Sequence, residues 1–181
     1  LYIRGVYMEK VYCQRLILRL PIPDDAYDLC EYGKDDQVTK FLTWDSYKGV
    51  KDAEEILKIF SVQDEKVPRF AIYHKEDKKV IGIIEGRIRQ TNSKDRCAEL
   101  GYVLNKNYWS KGYMTEACKE FIKYLFEKKN IHRIEAMADV RNIASQKVME
   151  KCLMTYEGTL RELFFRKGQY VSFKIYSILQ A

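Results

Sequence analysis

Residues 99–116 read ELGYVLNKNYWSKGYMTE, and the order of features in this stretch decides the fold. Glu99, Gly101 and Val103 share one face of a strand by its period of two. The strand gives way to a loop carrying Lys111 and Gly112, and a helix begins at once. That order places unpaired backbone N–H groups and the positive end of a helix dipole at the mouth of a sheet. Gly112 lets the backbone approach a ligand closely, and Lys111 adds positive charge. Physically the stretch is a cradle for a phosphate or pyrophosphate. An ordinary strand-to-helix turn would carry the same residues, and one glycine does not separate the two readings.

Working outward, the helix is expected from about Gly112 to Lys128, because Met114, Ala117, Cys118, Phe121, Ile122 and Leu125 form a sustained apolar stripe at helical spacing. Upstream, strands are expected at Arg69–His74, Val80–Gln90 and Cys97–Leu104, with TNSKDR as the turn between the last two. Further back, Tyr12 to Leu20 reads as one strand halted by Pro21 and Pro23. Asp24 and Asp25 then stand where a helix start favours carboxylates, and a second helix follows from about Lys51. Downstream come a strand at His132–Ala138, a helix at about Asn142–Lys151, and strands at about Met154–Leu160 and Tyr170–Leu179 around a Lys167–Gly168 turn. Paired strands at both ends of a strand–helix–strand–helix unit predict an α/β (α+β) protein: a mixed, mostly antiparallel central sheet flanked by helices.

Composition narrows the class. The 181 residues suit one domain, and no repeat or linker divides them. Position 8 holds the first methionine, so residues 1–7 are expected to be a non-native leader and 8–181 the domain. Lys and Arg number 32 against 26 acids, a net charge of +6 that suits a phosphate-bearing ligand or equally a solvated surface. The five cysteines are scattered, odd in number and without C-x-x-C spacing, which argues against a zinc site or disulfide framework and for a reducing cytoplasm. His74 and His132 have no companions at metal-ligand spacing, so no metal is expected. No apolar run approaches the ~20 residues of a membrane span.

The loop resembles the coenzyme A pyrophosphate loop of the GCN5-related N-acetyltransferase superfamily, Q/R-x-x-G-x-G/A, with Trp109 in the first place, Gly112 in the invariant one and Met114 in the last. Tryptophan there, within YWSKGYMTEA, is similar to the ribosomal-protein (RimJ/RimL-like) branch. QRLILRLPIPDDAYDLCEY, VTKFLTW, AELGYVL and NIASQKVMEK follow in that branch's order. The resemblance implies acetyl-CoA as cofactor, held by Tyr102, Val103, Leu104, Trp109, Ser110, Lys111, Gly112, Tyr113, Met114, Thr115 and Asn142. The backbone near Val103 and Leu104 would hold the thioester carbonyl. Three departures stand out. Met114 replaces a small residue, although it also starts the core stripe. Leu153–Met154 stand where the family has Gly–Phe. Met149 occupies the place of a tyrosine that in many members protonates the leaving thiolate.

Acetyl transfer needs a neutral amine. Neutralising a lysine-like amine at pH 7 costs roughly 4–5 kcal/mol, an N-terminal α-amine only about 1 kcal/mol. Glu99, a carboxylate in an apolar strand, is the candidate base; its structural alternative is an ion pair with Arg87 or Arg89. Asn142 is an N-cap by type and position. Ser145, one turn inside, is the candidate donor to the departing sulfur. Phe41, Trp44 and Tyr47, between the first two helices, are candidate acceptor-binding residues or ordinary packing aromatics. The expected activity is transfer of acetyl to a primary amine, on a protein N-terminus or a small molecule. The alternative is a catalytically weak acyl-CoA-binding sensor. No RNP, KH or helix-turn-helix pattern supports nucleic-acid binding, and a homodimer is left open.

Overall fold

The computed structural model describes residues 9–62, 64–89 and 96–180. The expected leader at residues 1–7, Met8 and most of the TNSKDR turn lie outside them. Eight strands form one sheet in the order β1-β2-β3-β4-β5-β6-β8-β7. They are β1 (Val11–Tyr12), β2 (Leu16–Arg19), β3 (Arg69–His74), β4 (Lys79–Arg89), β5 (Cys97–Leu104), β6 (Arg133–Asp139), β7 (Thr155–Arg166) and β8 (Gln169–Leu179). The helices are α1 (Ala26–Gly33), the single turn α2 (Asp36–Thr39), α3 (Val50–Phe60), α4 (Tyr113–Lys129) and α5 (Ile143–Lys151). Every neighbouring pair is antiparallel except β5 with β6, which α4 connects.

The expected first strand, Tyr12 to Leu20, is instead a small hairpin. Val11 faces Leu18 and Tyr12 faces Ile17, with Cys13–Arg15 making the reversal. Loose alternation hid the turn because none of its three residues is Gly, Pro, Asn or Asp. The carboxylate start to α1 holds: Asp25 accepts from the Ile22 N–H (2.9 Å) and two guanidinium nitrogens of Arg19. The last hairpin is longer than expected, since β7 runs on to Arg166.

Each face of the sheet carries its own apolar core. On one, α4 lays Ala117, Cys118, Phe121 and Leu125 on Leu16, Leu18, Ile72, Ile84 and Ala98. Each large side chain buried this way contributes about 1.5–3 kcal/mol. On the other, Leu29 of α1 and Ala53 and Leu57 of α3 pack on Ala71, Val80 and Ile83. These helices cover mainly the β3–β4 side of that face, reaching only Val103 of β5.

Candidate active site

The site is a wedge that the topology forces open. β5 and β6 pair only at Cys97–Arg133, Ala98–Ile134 and Glu99–Glu135. Beyond that rung β5 stays bound to β4 through Leu104, and β6 to β8 through Asp139. The facing edges of the two parallel strands therefore run on with no ladder between them. Backbone polar groups there need partners, so the wedge suits an extended ligand with amide groups of its own.

At the wedge mouth lies the loop. Gly112 has φ +83°, a left-handed conformation that glycine adopts without strain, and α4 starts at the next residue. The N–H groups of the first turn of α4 are thereby aimed out of the sheet as an anion cradle. An amide-bearing arm in the wedge and a pyrophosphate at the cradle are the two halves of acetyl-CoA, and these residues fit it.

Several predicted residues stand here with roles the sequence did not settle. The Trp109 indole N–H donates to the Leu104 carbonyl (2.8 Å), closing the end of β5. Ser110 is left-handed (φ +60°). Lys111 turns its ammonium back to the Asn107 carbonyl (2.9 Å) and the Tyr108 ring, away from the loop. Met114 is 5 % exposed and belongs to the core under α4, so its side chain does not crowd the cradle. The Thr115 carbonyl faces the Cys152 thiol at 3.8 Å.

The cation at the loop is one the sequence reading missed, Arg15 of the β1–β2 hairpin. Its Nε pairs with Glu116 (2.7 Å), Nη1 donates to the Lys111 carbonyl (3.0 Å), and the guanidinium lies 4.2 Å over the Tyr113 ring. Nη2 is 3.5 Å from where a Gly112 Cβ would stand. His74 supports Tyr113 edge-on from the core, its Nδ1 accepting from the Asp77 N–H.

On the far side of the wedge, Asn142 caps α5 as expected, its Oδ1 accepting from the Ser145 N–H (3.2 Å). The Ser145 hydroxyl meets the hydroxyl of Tyr102, which crosses from β5 (2.8 Å). Burial pushes the Tyr102 phenol well above its ordinary pKa. Met149 is buried and supplies no hydroxyl.

Three glutamates stand on the open face. Glu85 accepts from Arg69 (2.6 Å) and Arg87 (2.6 Å), one on each oxygen, and its carboxyl lies over Gly101. Glu135 is paired with Arg89 and Arg133. Among the described residues Glu99 has only the Nη1 of Arg87, at 4.0 Å, and its side chain is 28 % exposed. Val103, on the same face, packs toward the α1–α3 core.

The proposed acceptor aromatics divide. Tyr47 stacks on Trp44 (centroids 4.9 Å apart) and presses on Gly33, where a Cβ would meet its ring at 2.3 Å. Burial raises the Tyr47 phenol to about 12. It packs against the α1–α3 core. Phe41 lies with its ring 5.9 Å from the guanidinium of Arg141, just ahead of α5. Burial alone would raise the carboxyl of Asp139, but hydrogen bonds from Arg141 hold it below its ordinary range. Lys167 at the β7–β8 turn donates to the Thr39 carbonyl (3.0 Å), tying the hairpin to the segment that carries Phe41. Among the described residues, no His, Cys, Asp and Glu cluster could hold a metal, and no helix is long and apolar enough to cross a membrane.

Comparison with known proteins agrees with this geometry. Residues 15–155 match the model of the acetyltransferase (GNAT) domain. The chain is 34% identical to the uncharacterized N-acetyltransferase p20 of Bacillus licheniformis, over 96% of this chain and 97% of that one. A spermidine N-acetyltransferase from Vibrio cholerae, solved with CoA and spermine, superposes with a TM-score of 0.77 at 25% identity, covering 92% of this chain and 96% of the other. RimL, a ribosomal alpha-N-protein acetyltransferase solved with coenzyme A, superposes at 0.81 with 18% identity over 94% and 98%, a likeness of fold. With its cradle, its wedge and these relatives, the chain belongs to the GNAT family and is an N-acetyltransferase that uses acetyl-CoA.

Proposed function

We propose that the enzyme transfers acetyl to a primary amine by direct attack within a ternary complex, with Glu99 as base and Ser145 as donor to the departing sulfur. Acetyl-CoA supplies the acetyl group as a thioester. Glu99, directly or through a water, takes the proton that the amine must lose. The Ser145 hydroxyl donates to the thiolate; because a thiol of pKa about 8.5 already leaves fairly well, its loss is expected to cost less than loss of the base. The observation that carries this reading is the contrast among the three glutamates. Glu85 and Glu135 have both oxygens taken by guanidinium groups, whereas Glu99, at the last rung before the strands part, has among the described residues only a distant Arg87.

The relatives and energetics support an acceptor class. RimL is a ribosomal alpha-N-protein acetyltransferase, and the Vibrio cholerae relative is a spermidine N-acetyltransferase. An α-amine asks least of the base. We therefore place a protein N-terminal amine first and a small amine second. The test is calorimetric titration of acetyl-CoA, followed by thiol release with α-amine peptides, lysine-type amines and polyamines. Binding with release is expected, fastest for α-amines. Binding without release from any amine would leave only a coenzyme-binding module, and no binding would overturn the reading outright.

A further inference from the structure

We propose that Tyr102 is a positioning residue for the departing thiolate: its phenol donates to Ser145 Oγ and so turns the serine's own proton toward the sulfur. The inference rests on the reading of Ser145 given above and extends it to a residue on a different strand. Four observations carry it. Tyr102 stands on β5 beyond the last rung shared with β6, so its side chain spans the wedge rather than a ladder. Its hydroxyl has one proton and two acceptors on Ser145, the carbonyl at 3.2 Å and Oγ at 2.8 Å, and we assign the proton to the shorter contact. The Ser145 N–H is already committed to Asn142 Oδ1, so the first turn of α5 is fixed against the strand from two sides. Finally, Met149 fills its place in the core and leaves the serine as the hydroxyl on α5 that faces this edge.

The direction of the hydrogen bond matters. A serine in a helix tends to give its proton to the carbonyl four residues back. A phenol kept protonated by burial is the stronger donor of the pair, and once it donates to Oγ the serine proton is free to point elsewhere. In the transfer step the amine nitrogen bonds to the carbonyl carbon as the C–S bond breaks; the pair of that bond stays on sulfur, which accepts a hydrogen bond from Ser145 and takes its proton from solvent after it departs. The amine's proton goes to Glu99. Tyr102 keeps its own proton throughout, which a buried phenol distant from any cation requires.

The test is a double-mutant cycle of Tyr102→Phe and Ser145→Ala, read as thiol release from acetyl-CoA with the best amine of the panel or with water as acceptor. Dissociation constants for acetyl-CoA and thermal midpoints are measured alongside. Tyr102→Phe is expected to lower kcat about tenfold, the value of one well-placed hydrogen bond. KM for acetyl-CoA should stay within about twofold. The double variant should be no slower than Ser145→Ala alone. If Tyr102→Phe leaves kcat unchanged while Ser145→Ala lowers it, the serine acts alone and this proposal fails while the reading of Ser145 stands. If Ser145→Ala has no effect, that reading fails and takes this one with it. Multiplying losses, or a loss of cofactor affinity and thermal stability in step with kcat, would make the contact a structural tie and overturn the proposal.

Discussion

Glu85 and Glu99 are glutamates on adjacent strands of the same face, and their surroundings differ. Glu85 is buried beneath Arg69 and Arg87 with a charged partner on each oxygen. Glu85→Ala strands Arg69, itself largely buried, and is expected to cost about 2–3 kcal/mol of stability in urea unfolding. Glu99→Gln keeps shape and leaves stability nearly unchanged, because its one pairing among the described residues, with Arg87 at 4.0 Å, is long and partly exposed. It is expected to slow acetyl transfer by about 10²-fold or more, most for lysine-type amines, whose protons are hardest to remove. Equal slowing of α-amines and lysine-type amines would count against Glu99 as base. The sequence made Glu99 visible because a carboxylate within an apolar strand is conspicuous. It could not say which glutamate has both oxygens occupied, since that depends on side chains from β3 and β4. The same limit holds for Tyr47, whose approach to Gly33 depends on the fold of α1 and is not written in its own loop.

At the scale of elements, periodicity and turn chemistry located β3, β5, α4 and α5 closely, because each carries an unbroken apolar pattern and a recognisable start. What they missed was the β1–β2 reversal, whose turn lacks the usual residues, and the full length of β7, whose mostly exposed side chains follow no apolar alternation. The end of α5 shows why Leu153–Met154 can replace Gly–Phe. The Met154 N–H donates to the Met149 carbonyl and the Leu153 N–H to that of Glu150, the paired bonds of a Schellman motif. Met154 is buried like the apolar residue it replaces, but Leu153 is held at φ +62° with its side chain 80 % exposed. Leu153→Gly is therefore expected to stabilise the fold by about 0.5–1 kcal/mol, relieving a left-handed leucine that costs about 1–2 kcal/mol while adding some glycine entropy to the unfolded chain. A lower thermal midpoint would contradict this. The final hairpin has its own pH signature. Glu157 of β7 is bound by both terminal nitrogens of Arg133 on β6 and by Ser177 on β8, which hold its carboxyl at about 2 against an ordinary 4.5. A depressed carboxylate contributes its stability in full above about 4.5 and loses it as pH falls toward about 2. Glu157→Gln should thus be less stable than the parent at pH 7 and converge with it through that window. The gap should be modest because solvent reaches the pair, and a constant gap down to pH 2 would rule the linkage out.

Across the whole molecule, the cradle joins an edge hairpin of the sheet to a loop that follows an interior strand. Its loop and helix N-terminus were legible locally, in Gly112 and the stripe that follows it. The cation was not: Lys111 sits beside the glycine in sequence but turns back to Asn107, while Arg15 arrives from a hairpin 96 residues earlier (111 − 15). No local pattern announces such a contact; it follows from β2 lying beside β3 under the start of α4. Arg15 ties Glu116 in the first turn of α4 to the Lys111 carbonyl before it, so it fixes the loop and also adds positive charge beside Gly112. Arg15→Ala should raise the dissociation constant of acetyl-CoA about tenfold, the value of one charge-assisted contact with an anion. The increase should shrink as salt is raised, because the lost interaction is with phosphate. Arg15→Lys should recover only part of it, since an ammonium cannot hold Glu116 and the Lys111 carbonyl in the same fixed fork. Titrations of acetyl-CoA into the three proteins at low and high salt separate the two contributions. A loss independent of salt and fully repaired by lysine would make Arg15 a mere counter-ion to Glu116. A loss that lysine leaves almost untouched would assign its whole effect to holding the loop.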